Sequence, residues 1–149
     1  MTGLHTPELI QHLARVLPQI CEGGTTLSLE QVLEIFEASQ HFAVARVDGG
    51  IRAHAECRIN PQAPHRWIVS CAVEPEYQGR GLGRQTLSEA LAFADAHGAE
   101  YVDGTAWASN TRVLALDKSL GFVEVGKVED AYRRDGVSYD HVMLVRKVV

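Results

Sequence analysis

The chain has 149 residues, of which 46% are hydrophobic, and a formal net charge of −5. That length suits one domain over residues 1–149 with a proper core, and the acidic balance leaves no basic face for nucleic acid. No stretch is apolar enough for a membrane span, and residues 1–17 lack the basic flank and apolar run of a signal peptide, so a soluble cytoplasmic protein with no membrane partner is expected.

Thr6-Pro7-Glu8 reads as a helix start, followed by Leu9, Ile10, Leu13, Val16 and Leu17 at helical spacing. Residues 22–26 break that helix, and Ser28 with Gln31 fits a capping box opening a second helix that carries Leu29, Val32, Leu33 and Phe36. Residues 42–47 and 51–59 then form strands joined by the hairpin signal Asp48-Gly49-Gly50, and residues 67–73 form a third. After a glycine-rich turn, Leu82, Leu87, Ala90, Leu91 and Ala94 make one stripe of a helix that ends at His97-Gly98. Residues 101–105 are the next strand, and a polar loop at residues 130–136 precedes a last strand at 139–145. Two helices, a β-meander, strand–loop–helix, strand–helix and a closing pair of strands amount to an α+β fold with a mixed sheet.

Cys21, Cys57 and Cys71 are odd in number, widely spaced and free of any CxxC or metal-ligand pattern. Reduced thiols and no bound metal are the expectation.

The turn Gln78-Gly79-Arg80-Gly81-Leu82-Gly83-Arg84 lies between the third strand and the following helix. Glycines at alternate positions let backbone N–H groups converge on an anion, and the helix adds the positive end of its dipole. No Gly-Lys-Ser/Thr follows, and the third glycine of G-x-G-x-x-G is missing from either possible start. What remains is Gln-x-x-Gly-x-Gly on Gln78, Gly81 and Gly83. Downstream, Asn110 opens a helical stretch that ends in Gly121-Phe122. The two segments, in this order and spacing, resemble the GNAT superfamily of acyl-CoA-dependent N-acyltransferases over roughly residues 41–147.

The resemblance implies a mostly antiparallel central sheet, splayed in the middle and flanked by about four helices. It implies acetyl-CoA as co-substrate, with the backbone of Cys71, Ala72 and Val73 pairing with the pantetheine amides as an added strand would. The pyrophosphate would lie on Gln78, Gly79, Arg80, Gly81, Leu82, Gly83 and Arg84, and Asn110 would approach the pantetheine or adenosine. A homodimer is also implied. The family pattern opens with a strand before its first helix, for which residues 1–5 are too short and too polar.

Acyl transfer from a thioester to an amine requires a proton to leave an ammonium of pKa near ~10, an oxyanion to be held, and a thiolate of pKa about 8.5 to depart. Relatives place a tyrosine four residues before the glycine of Gly-Phe as the leaving-group acid, but here that residue is Asp117. Asp117 is read as a solvated or arginine-paired carboxylate, as a binder of a cationic amine, or as an acid of raised pKa that protonates the sulfur. Strand alternation puts His54, Glu56 and Arg58 on one face. Relatives often recruit the base, or a water chain leading to it, from these strands, so the resemblance makes Glu56 the first candidate base, against the alternative that it pairs with Arg58 or a neighbouring strand. In relatives the loop before the last strand lines the acceptor pocket, so the resemblance makes Tyr132, Arg133 and Tyr139 candidate acceptor contacts, against ordinary hairpin decoration, with either tyrosine a possible source of the missing phenol. His141 reads as a surface or packing residue, and Cys71 is not expected to act as a nucleophile. The expected activity is N-acetylation of a small-molecule primary amine by direct attack in a ternary complex. A protein amino terminus or lysine is the alternative acceptor, and a non-catalytic acyl-CoA-binding regulatory module is the alternative class.

Overall fold

A computed structural model describes residues 6–20 and 28–149. The readings on residues 1–5, on the break at residues 22–26 and on Cys21 lie outside the described residues. Helix α1 (Pro7–Ile20) starts at proline as expected. Helix α2 (Leu29–Glu37) carries the capping box: the Gln31 backbone N–H donates to Ser28 Oγ at 3.2 Å, and the Ser28 N–H donates to Gln31 Oε1 at 2.8 Å. Reciprocal satisfaction of two otherwise orphaned donors fixes where this short helix begins.

Strands β1 (Ser39–Val47) and β2 (Gly50–Ile59) form an antiparallel hairpin closed at Asp48 and Gly49, both with positive φ, the turn whose twist matches that of the flanking strands. Strand β3 (Arg66–Val73) runs antiparallel to β2, and a 3₁₀ turn at Pro75–Tyr77 leads to helix α3 (Leu82–Ala96). Strand β4 (Tyr101–Trp107), helix α4 (Thr111–Ser119) and the hairpin of β5 (Val123–Arg134) with β6 (Val137–Lys147) complete the chain. The sheet order is β1-β2-β3-β4-β6-β5, and β3 and β4 are its one parallel pair. The observed architecture is thus the expected α+β arrangement of four helices and a mixed sheet.

Among the described residues, two larger hydrophobic cores and a small third one of Ala45, Ala53 and Leu82 hold the layers together. On one face α3 buries Leu87, Ala90, Leu91 and Ala94 against Ala55, Cys57 and Trp67 of the sheet, joined by Phe122 and Leu144. On the other, α1 and α2 bury Leu9, Leu13, Val16, Val32, Leu33 and Phe36 over Ile51. A fully buried side chain of this kind contributes roughly 1.5–3 kcal/mol, so both faces of the meander are anchored.

Several strands run longer than expected, β1 from Ser39 rather than residue 42 and β4 to Trp107 rather than residue 105, and one segment changes its structure altogether. Residues 130–134 are strand rather than loop, and the turn is confined to Asp135 and Gly136. Both faces of this hairpin end are wet, so its sequence lacks the polar–apolar alternation that marks a half-buried strand.

Among the described residues, no helix is long and apolar enough to cross a membrane. Nor is any group of three His, Cys, Asp or Glu side chains placed to hold a metal ion.

Candidate active site

The parallel pairing of β3 with β4 covers only Arg66 with Tyr101, Trp67 with Val102, and Ile68 with Asp103. Beyond Ile68 the strands diverge, so the β3 backbone over residues 69–73 has a neighbour in β2 but none in β4. A cavity of about 770 Å³ opens along this gap. It runs from residues 69–73 across to residues 104–107, and is bounded by the glycine turn, by α4 and by α2.

The glycine turn forms one end. Gly79 and Gly81 have φ of +80° and +83°, a left-handed backbone that L side chains avoid, and a Cβ at Gly81 would meet nothing within 4 Å. Gly81 is also the N-cap of α3, with no side chain covering the helix's first N–H groups. A phosphate-sized anion therefore finds uncovered donors, a helix dipole and open space at one point. Gly83 is needed for closeness: a Cβ there would lie 3.3 Å from Leu116 and 3.4 Å from Val73, where α3, α4 and β3 meet. Arg84 lines this end and donates to Ser119 Oγ at 2.8 Å, and Arg112 brings a second guanidinium that the sequence reading passed over. The cation of Arg80 instead stacks over the Tyr77 ring at 4.9 Å, and Arg80 is not among the cavity-lining residues. These features fit the pyrophosphate of a CoA thioester, and the unpaired β3 edge fits its amide-bearing arm.

Asn110 lines the cavity too, but its side-chain oxygen is engaged as the N-cap of α4, accepting from the Val113 N–H at 3.2 Å. Asp117, in the last turn of α4, is buried and lines the cavity. Burial, with no partner to counter it, pushes its carboxyl up to about 6. Cys71 hydrogen-bonds weakly to Gly83 O and Thr86 Oγ1, and burial pushes its thiol up to about 12, so it is no nucleophile at neutral pH.

The opposite wall comes from β2 and α2. Glu56 is fully buried and does not line the cavity. One of its carboxylate oxygens accepts from Ser39 and the other from Arg58, while Arg58 also reaches Ser70 Oγ at 3.4 Å. Burial raises the Glu56 carboxyl despite Arg58. The cavity sees Arg58 and Ser70 rather than the carboxylate, so the candidate base is screened by the arginine it pairs with. Next to it on β2, His54 lines the cavity and is likewise fully buried.

The acceptor contacts expected on the last hairpin are displaced. Tyr132 pairs with Tyr139 across β5 and β6, and Arg133 is an exposed partner of Asp130 at 2.5 Å; none of the three lines the cavity. The reason is the strand continuation described above, which carries these side chains past the cavity rather than folding them over it. Trp107 and His141 line it instead, with ring centroids 4.6 Å apart. His141 is thus not the surface or packing residue expected, because strand parity alone does not say which face of β6 the gap exposes.

The sequence profile of the Acetyltransferase (GNAT) family matches residues 8–122. The chain belongs to the GNAT acetyltransferase family. It is 35% identical over 105 residues to the N-alpha-acetyltransferase RimI of Mycobacterium tuberculosis, a match covering 69% of this chain and 65%, just under two thirds, of that relative. A phosphinothricin acetyltransferase from Sinorhizobium meliloti, solved in complex with acetyl-CoA, superposes with a TM-score of 0.80 at 20% identity, covering 93% of this chain and 83% of that one. A ribosomal-protein-alanine N-acetyltransferase from Brucella melitensis gives 0.77 at 23%, covering 95% and 93%. At such identities these two structures establish a common fold. Membership of an acetyltransferase family is what the profile match shows.

Proposed function

We propose that this GNAT enzyme acetylates the α-amino group at the N-terminus of a polypeptide, by direct attack on acetyl-CoA bound along the β3 edge. The observation that carries the reading is a single raised carboxyl in the cavity, Asp117, at about 6. A thioester supplies an activated acetyl group, and the protein must then manage one proton and one developing negative charge. Unpaired N–H groups of residues 69–73 are available to the oxyanion. Asp117 stands where the resemblance expects a tyrosine. A proton held on a carboxyl near 6 passes downhill to a departing thiolate whose pKa is about 8.5.

The same value supports an α-amine over an alkylamine. Moving a proton from an α-ammonium of pKa ~8 to Asp117 is uphill by about two units, or roughly 3 kcal/mol, whereas from a lysine-like ammonium near ~10.4 it is uphill by more than four. The similarity to an N-alpha-acetyltransferase at 35% identity points the same way. The small-molecule amine expected from the sequence becomes the outcome against which this proposal is tested, and the regulatory-module alternative is not favoured in an acetyltransferase family. The homodimer implied by the resemblance remains part of the proposal and is read by light scattering.

Thiol release from acetyl-CoA would be followed with a hexapeptide beginning in alanine, with the same peptide blocked at its N-terminus but carrying an internal lysine, and with a small polyamine. Turnover of the free-terminus peptide alone is expected, lost in Asp117→Asn with acetyl-CoA binding retained. Turnover of the polyamine alone would replace the peptide acceptor with a small molecule.

A further inference from the structure

His54 and His12 form a buried chain that ends in a carboxylate. His12 Nδ1 lies 2.7 Å from Glu74 Oε2, and His12 Nε2 lies 2.9 Å from His54 Nδ1. Both histidines are fully buried and Glu74 is nearly so. They come from α1, from the middle of β2 and from the residue that follows β3. Glu74 also accepts from Arg15 at 2.7 Å and from Arg52 at 3.3 Å.

The direction of every proton in this chain follows from its end. Burial alone would raise the Glu74 carboxyl, but Arg15 and His12 outweigh it and hold the group below its ordinary value, so it is an acceptor only. His12 Nδ1 must then carry the proton that Glu74 accepts. Burial holds His12 neutral against the pull of Glu74, so its Nε2 is a bare lone pair and accepts from His54 Nδ1–H. His54 is neutral too, since burial and then His12 lower it to about 3. Its one proton is committed to His12, and its Nε2 is therefore a bare lone pair. That atom is buried and has no hydrogen-bond partner among the described residues. The ring is held in place by stacking on Phe42, at 5.3 Å and 10° between planes, and by Phe36 at 5.6 Å. A buried acceptor without a donor carries a cost that a satisfied histidine avoids, and this one sits in a residue that forms the cavity wall.

We propose that His54 Nε2 is a substrate-positioning acceptor: it takes a hydrogen bond from an N–H of the incoming amine, with its lone pair fixed toward that role by the Glu74–His12 chain. The inference rests on the reading that the cavity takes an amine acceptor, and it adds the residue that orients it. Neutral His54 does not repel an ammonium, and it cannot serve as hydrogen-bond donor to a hydroxyl or thiol acceptor that needs one. The neighbouring charge on this wall, Arg58, is already paired with Glu56. The wall thus carries, in a residue that lines the cavity, one buried acceptor without a donor, and no free cation from β2.

Nitrogen-15 imidazole correlation spectra of the full-length wild-type protein at pH 7, without substrate, test the orientation directly. Protonated Nδ1 and bare Nε2 are expected on both His12 and His54; an Nε2–H tautomer or an imidazolium at His54 overturns the proposal whatever the acceptor. Kinetics of His54→Phe, which retains a ring against Phe42, test the contact. A rise of about ten-fold or more in KM for the acceptor, the equivalent of one lost buried hydrogen bond, is expected with acetyl-CoA affinity unchanged. The acceptor used is whichever of the alanyl hexapeptide and the polyamine the wild type acetylates. An unchanged acceptor KM in a variant with wild-type acetyl-CoA affinity overturns the contact. If the wild type acetylates neither, the reading beneath the proposal falls and this inference falls with it. A His54→Phe protein that fails to fold leaves the tautomer measurement to decide.

Discussion

Glu74 and Asp117 are both buried carboxylates, Asp117 lining the cavity and Glu74 linked to it through His12 and His54, and their surroundings push them in opposite directions. Glu74 is surrounded by Arg15, Arg52 and His12, so its charge is neutralised and fixed. Asp117 sits on α4 with no compensating partner, and burial alone raises it to about 6. The first arrangement stabilises the fold and sets the orientation of two histidines. The second gives up stability to keep a titratable group near working pH, which is the usual signature of a site used for proton transfer. The difference teaches where rigidity and chemistry are divided in this molecule: the Glu74 end of the α1–β2 wall is a satisfied network that stops at the bare His54 Nε2, and the α4 side is kept poised.

The sharpest way to break this comparison is to remove the carboxylate from the satisfied wall. Glu74→Ala leaves Arg15, Arg52 and His12 without their shared acceptor, and a loss of about 3–5 kcal/mol is expected, as for a buried pair broken on one side. Urea denaturation measures it. A loss below about 1 kcal/mol, the range of an exposed pair, would mean that the network contributes little and that the histidine tautomers are not anchored by it.

Asp117→Asn should act with the opposite sign. The folded-state carboxyl titrates at about 6 and the unfolded one near 3.8, so between these values the folded protein holds a proton that the unfolded chain has released. Stability therefore falls as pH rises from about 4 to about 6, by roughly 3 kcal/mol for a shift of about two units. Asn carries no such charge, so the variant should be more stable than the wild type at pH 7.5 by up to that amount, and should lose this advantage at pH 4. Glu74 contributes the reverse slope: its stabilisation is complete above its unfolded value and is lost as pH falls through its lowered folded value. Denaturation curves of the two single variants at both pH values separate the slopes, and equal curves for Asp117→Asn and wild type at pH 7.5 would return Asp117 to an ordinary solvated carboxylate.

The two regions also differ in how far the sequence reveals them. Gly79 and Gly81, unlike Gly83, whose need comes from the meeting of α3, α4 and β3, act through the local backbone, within a single turn between a strand and a helix, so their pattern could be read without knowing what packs on them. The Ser28–Gln31 capping box and the Asp48-Gly49 turn were legible for the same reason. The histidine chain is different in kind. His12 meets His54 across 42 positions and Glu74 across 62, and no local pattern encodes such a meeting. Alternation did place His54, Glu56 and Arg58 on one face of β2, but only packing shows that Arg58 covers Glu56 while His54 reaches the cavity. Arg112 shows a third case: it lay inside a stretch singled out for its Asn and Gly-Phe, and was overlooked because the helix phase alone did not show that it faces Gly79.

On the backbone-built side, Gly81→Val forces a branched residue into φ of +83°, at a cost of roughly 1–2 kcal/mol for the left-handed region, or more for a β-branched side chain. Space is not the obstacle, since nothing lies within 4 Å of a Cβ there. If the N–H groups at the start of α3 hold the pyrophosphate, the shift should weaken acetyl-CoA by about ten-fold, which calorimetric titration reads directly. Wild-type acetyl-CoA affinity in a folded Gly81→Val would detach the phosphate from this turn.

The smallest expected effect lies on the last hairpin, and its smallness is what makes it informative. Arg133 has a side chain 74% exposed and is held by Asp130 at 2.5 Å, with Ser138 donating to the same carboxylate at 2.6 Å. That cluster lowers the Asp130 carboxyl to about 2, through Arg133 and then Ser138, but both partners of the ion pair are open to water, where such pairs contribute little to stability and are screened by salt. Arg133→Ala should therefore leave the melting temperature unchanged, and the acetyl-CoA affinity and the KM for the acceptor within about two-fold of wild type, since nothing that lines the cavity depends on it. Initial-rate measurements at low and at 0.5 M salt test this. A several-fold rise in acceptor KM that disappears at high salt would show the hairpin steering an acidic acceptor from outside the cavity. The recognition surface would then extend beyond the wall formed by His54, Arg58 and Ser70 to the strand continuation that replaced the expected loop.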